Sequence, residues 1–153
     1  MKRIMITSPV AGLIGLAVLW LVASLAHAEQ AEHVGRYQIH YSAVNTSFLT
    51  PEVAAAYDIQ RSKRTALLNV SVLEAQPDGS NQPVMATVEG RVGNLAGQSQ
   101  PLSFRTIREK NSIYQLAVFP IQRGEPMRFT LDVYYDRNKA PAEVAFIQRF
   151  FTD

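Results

Sequence analysis

The chain has 153 residues, 15 Lys+Arg, 13 Asp+Glu and no cysteine, for a formal charge of +2. The lack of cysteine excludes disulfides, thiolate metal sites and a cysteine-linked lipid anchor. Lys2 and Arg3 account for the excess cations, so from Glu29 onward the chain is formally neutral and its composition gives nucleic-acid binding no support.

A leader comes first. Met1-Lys2-Arg3 precedes an apolar run from Val10 to Ala26, which ends in the small residues of Ala26-His27-Ala28. That order of charge, apolar run and small residues is a secretory signal peptide, with cleavage predicted after Ala28. The rival reading is a retained membrane anchor, but the run of 17 residues is shorter than the roughly 20 that cross a bilayer. Removal of residues 1–28 leaves 125 residues, predicted to form a single domain (29–153) in the periplasm with no membrane span. A chain of that size buries a core without needing staples.

Strand signals follow at short intervals. From Val34 to Asn45, Tyr37, Ile39 and Tyr41 alternate with Arg36, Gln38 and His40, the period of a strand with one buried face. Thr65 to Leu73 sets Leu68, Val70 and Val72 against Leu67, Asn69 and Ser71. "EAQPDGSNQP" then reads as an exposed hairpin loop, with Asp78-Gly79 as its turn. Val84 to Asn94 alternates again, and Gly90 and Gly93 within it predict a bulge or a close backbone approach. Leu102 to Arg108, Ile113 to Phe119, Met127 to Tyr135 and the final run through Val144, Phe146 and Phe150 complete the set. The fold class is therefore all-β, with about seven strands in an immunoglobulin-like antiparallel β-sandwich. A small closed barrel is the alternative.

One segment breaks the alternation. "NTSFLTPEVAAAYDIQRSKR" (45–64) holds a helix start at Thr50-Pro51-Glu52: a capping hydroxyl, a proline tolerated in the first turn, and an acid at the positive helix end. It predicts one short helix between the first two strands, with Phe48, Val53 and Tyr57 capping one end of the sandwich. Arg61, Ser62 and Lys63, with Asn45 nearby, are the candidate residues for an anionic ligand or a partner. Clustered cations and hydroxyls make short, charge-assisted hydrogen bonds to phosphate or carboxylate. In an alternating strand Arg61 and Lys63 share a face. A solvated strand end is the plainer reading of the same residues.

The run "VNTSFLTPEVAAAYDIQRSKRTALLNVSVL", with "GNLAGQ" and the Leu102–Glu109 and Ile113–Phe119 strands, resembles an exported bacterial family, domain of unknown function 4426. The resemblance spans the chain beyond the leader and is most specific at Asn45–Lys63. It implies a periplasmic, sandwich-like all-β domain and supplies no catalytic residue.

Chemistry is otherwise sparse. After the leader only His33 and His40 remain, too few for a histidine metal site. His40 and Ser42 share a strand face without a third member to orient them. No catalytic, cofactor-binding or metal residue is assigned. The expected function is a non-catalytic binding or interaction module for an envelope protein or an anionic ligand, with the last strand as its candidate edge. The alternative is a periplasmic enzyme whose site is scattered along the sequence; a small envelope chaperone is a third class.

Overall fold

The computed structural model describes residues 29–152; the expected leader and Asp153 lie outside them. The element order is β1 (Gln30–Val34), β2 (Tyr37–Asn45), α1 (Pro51–Ala56), β3 (Thr65–Ala75), β4 (Asn81–Val84), β5 (Thr87–Gly93), β6 (Ser99–Pro101), β7 (Arg105–Glu109), β8 (Ser112–Pro120), β9 (Pro126–Tyr134) and β10 (Ala142–Arg149). The seven predicted strands are all present. Three short ones join them, so the helix lies between the second and third strands rather than the first and second.

Two antiparallel sheets form the sandwich. One runs β1-β2-β3-β8-β7, and the other runs β10-β9-β5-β6. β8 pairs with β3 over Thr65–Val70, and β4 takes over the same edge from Val72 to Ala75. The loop between β3 and β4 is the predicted turn. The Asp78 carboxylate accepts from the Ser80 N–H at 2.9 Å and the Ser80 hydroxyl at 2.6 Å. Those bonds hold its pKa below the ordinary 3.8.

The core is what the alternation requires. Ile39 and Tyr41 of β2, Leu68, Val70 and Val72 of β3, and Phe129, Leu131 and Val133 of β9 all point between the sheets. Phe129 is the hub: its ring stacks on Phe146 at 4.5 Å and meets Phe119 edge-on at 5.2 Å. Each such side chain contributes about 1.5–3 kcal/mol on burial. Gly90 and Gly93 are close-approach positions, as predicted. A Cβ on Gly90 would stand 2.8 Å from the Thr130 carbonyl oxygen of β9, and one on Gly93 would stand 2.7 Å from the Ser99 Cβ of β6.

The helix does not cap an end of the sandwich. Phe48 is 55% exposed and Val53 40% exposed, while Ala54 is the helix residue that is buried. Ala54 and Ile59 pack on Leu67 of β3 and Leu116 of β8, with Val44, Leu49 and Tyr57 around them. Leu67 alternates with the inward Leu68, so α1 covers the outer face of the five-strand path. The apolar block is legible in the sequence, but spacing alone does not show which sheet face is left uncovered for it to pack on.

Candidate functional site

The segment 45–64 is built as predicted at its helix start. Thr50 caps α1, its hydroxyl accepting from the Val53 N–H at 3.2 Å, and Pro51 opens the first turn. Asp58, at φ 53, reverses the chain after the helix, and the Ile59 N–H closes back on the Ala54 carbonyl at 2.8 Å. Before the helix, Thr46 begins a 3-10 turn and is fully buried. Its hydroxyl oxygen accepts from the Ser62 N–H at 2.9 Å and lies 2.7 Å from the Thr65 hydroxyl. This clasp ties the beginning of the connection to its end.

The four candidate residues fall on different sides of that clasp. Arg61 donates from its guanidinium to the Ser47 carbonyl at 3.0 Å and remains exposed. Ser62 is engaged through its backbone by Thr46, and its hydroxyl oxygen accepts from the Arg64 N–H at 3.0 Å. Lys63 lies in the turn leading into β3 rather than in a strand, so strand alternation does not govern where it and Arg61 face. Asn45 is buried, and its side-chain amide donates to the Phe151 carbonyl at 2.8 Å. Arg61 and Ser62 are thus drawn together around the turn, while the Asn45 amide serves the far end of the chain.

Beside this connection the outer face holds a cavity of about 260 Å³. Val44, Leu67 and Leu116 form its floor on three adjacent strands, and Leu49, Val53 and Tyr57 roof it from the helix side. Ser42 and Asn69, cross-strand neighbours in register, supply polar groups to the same wall. Asn69 Oδ1 is buried and has no hydrogen-bond partner among the described residues. The roof is fastened at one corner: the Tyr57 hydroxyl donates to Glu109 Oε1 at 2.6 Å, and the Arg105 guanidinium donates to the Tyr57 carbonyl. The bond to Glu109, aided by burial, pushes the Tyr57 pKa from 10.0 up to about 12.

No sequence motif marks this cavity. A signal was present, because Leu67 and Leu116 are large aliphatics on the polar side of their strands, and such residues imply a cover on that face.

The remaining candidates are structural or peripheral. His40 is held by Glu29, with Nδ1 to Oε1 at 3.4 Å, and lies 3.3 Å from Gln38 Oε1. Among the described residues, no group of three or more His, Cys, Asp or Glu side chains is placed to hold a metal ion. No described helix is long and apolar enough to cross a membrane. Among the described strands, β10 pairs only with β9, which makes it an edge. Of its aromatic end, Phe150 is 1% exposed in the core and Phe151 is 61% exposed.

The family described as Domain of unknown function (DUF4426) matches residues 31–153. Among solved structures, a DUF4426 family protein from Pseudomonas aeruginosa PAO1 is 36% identical with a TM-score of 0.68, over 82% of this chain and 96% of its own. FetP of uropathogenic Escherichia coli strain F11 shares the fold at 11% identity and a TM-score of 0.56, over 81% of this chain and 94% of its own. A copper-bound variant of that FetP matches at 12% identity and a TM-score of 0.54, over 80% of this chain and 90% of its own. No curated protein matches the chain.

Proposed function

The chain belongs to the DUF4426 family, and we propose that it works as an exported, non-catalytic binding module of the bacterial cell envelope. The leader pattern of residues 1–28 supports export to the periplasm as a single domain, 29–153, with a broadly immunoglobulin-like sandwich. The observation that carries the reading is the helix-roofed cavity on the outer sheet face, mostly apolar with a few polar groups, the usual make-up of a small-ligand pocket.

Titration of the purified protein with N-phenyl-1-naphthylamine, followed by fluorescence, tests it. The expected result is saturable enhancement at one site per chain, abolished by Val53→Trp. Val53 sits at the exposed rim of the roof, so a larger ring there closes the mouth without entering the core. Enhancement that never saturates, or that survives Val53→Trp, removes the reading.

A second reading keeps an anionic ligand at Arg61 and Lys63, favoured by a guanidinium that uses one donor on Ser47 and is otherwise exposed. Charge reversal of both residues, with calorimetry against inorganic phosphate, tests this reading. Equal heats for the variant and the parent end it.

A further inference from the structure

The cavity has a chemical bias that its shape alone does not give. Resting on the reading of this cavity as a binding site, we propose that its ligand is an uncharged, largely apolar molecule carrying one hydrogen-bond donor, and that Asn69 selects for that donor.

Three features of the wall lead there. First, no Lys, Arg, His, Asp or Glu among the described residues lines the cavity. A charged ligand would leave water with nothing to replace its hydration, a cost that apolar walls cannot offset. Second, most of the lining is aliphatic or aromatic, with Leu67 and Leu116 beneath and Leu49 and Val53 above, so the body of the ligand is apolar. The volume of about 260 Å³ suits a two- or three-ring aromatic or a medium-length aliphatic chain, just below the roughly 300 Å³ at which ligand pockets usually begin.

Third, Asn69 leaves an acceptor unmet. It sits on the outer face of β3, in register with Ser42 on one side and Leu116 on the other. Leu116 has nothing to donate, and Asn69 Oδ1 has no partner among the described residues. A buried carbonyl in that state is unfavourable and is relieved by any donor that reaches it. The amide lies on the cavity wall, and rotation about its broad χ2 torsion turns it toward a guest without moving β3. A site whose polar group is left unpaired by an analogue discriminates strongly against that analogue. Asn69 therefore acts as a specificity residue: it meets the ligand, while the aliphatic walls supply general affinity.

The test uses three probes of one shape: naphthalene, 2-naphthol and 2-naphthoate. They are titrated into the purified full-length exported protein and into the Asn69→Leu and Asn69→Ala variants. In the parent, 2-naphthol is expected to bind about tenfold more tightly than naphthalene, and 2-naphthoate more weakly than either. In both variants the preference for 2-naphthol is expected to fall to about twofold or less, with naphthalene binding kept. Retained naphthalene binding also reports that the variants are folded and the cavity intact.

Equal binding of naphthalene and 2-naphthol by the parent overturns the assignment to a donor-bearing ligand while leaving the cavity as a site. A preference for 2-naphthol that persists in both variants overturns the role of Asn69. Failure of all three probes to bind the parent saturably overturns the site itself, and the parent comparison stands even if neither variant folds.

Discussion

The side-chain amide of Asn45 donates to the backbone carbonyl of Phe151 across 2.8 Å, joining the end of β2 to the carboxyl-terminal segment 106 residues later. Beside it Gln148 of β10 donates to the Ala43 carbonyl at 2.9 Å. The two amides close one side of the sandwich with side chains where no strand pairs. β1 reaches only to Tyr41 in its pairing with β2, so the carbonyl of Ala43 lies beyond its partner's end.

Asn45→Ala is therefore expected to lower stability by about 0.5–1.5 kcal/mol, the net contribution of one hydrogen bond. Urea denaturation of the variant against the parent measures it. A midpoint unchanged within error would show that the corner holds without this bond.

The two adjacent terminal phenylalanines are expected to behave in opposite ways. Phe150 is packed against Phe119 and Phe129, with ring centroids 5.7 and 6.2 Å away. Phe150→Ala should cost about 3–5 kcal/mol, whereas Phe151→Ala, at an exposed position, should stay within about 0.5 kcal/mol of the parent. Thermal melts of the pair check the contrast.

Gly93→Ala should destabilise, because the new methyl meets Ser99 Cα at 2.8 Å and Cβ at 2.7 Å, where β6 pairs alongside β5. Backbone in contact gives less than the far end of a flexible side chain, so a loss of about 1–3 kcal/mol is expected. Gly97, at φ 91 with open space around it, tests the other mechanism: Gly97→Ala strains the backbone alone. Equal losses at both positions would mean that the pairing of β6 with β5 is looser than described.

Tyr57 gives a pH signature. Its folded pKa is raised above the unfolded value near 10, so the neutral hydroxyl is the stabilised form. The contribution is complete below about pH 10 and is lost as pH rises through about 12. Stability measured from pH 8 to pH 12 should show the parent's advantage over Tyr57→Phe constant up to about 10 and shrinking beyond it. An advantage that does not change over that range would place the bond to Glu109 outside the folded state in solution.

Much of the fold is legible in the alternation itself. Met127, Phe129, Leu131 and Val133 are inward on β9 because a period of two leaves no other face for them. The missed strands share a physical reason. β1 exposes nearly every residue, β4 carries Pro83, and β6 has three residues including Pro101. Such strands sit at edges and are held by backbone pairing, which side-chain pattern does not record.

The candidate site was less legible. Asn45 looks like a ligand group beside a basic run, yet it is a structural tie, because its partner lies 106 residues away and only the closed sandwich brings the two together. The cavity was hidden for a similar reason. Its floor comes from β2, β3 and β8, and its roof from a helix whose docking face depends on which strand face the other sheet leaves uncovered.

The anchoring of Phe150 couples the edge strand to both layers. Its ring packs on Phe119 of β8 and on Phe129 of β9, one from each sheet. Fraying of β10 therefore draws a side chain out of the shared interior, which ties local opening at this edge to the stability of the whole sandwich.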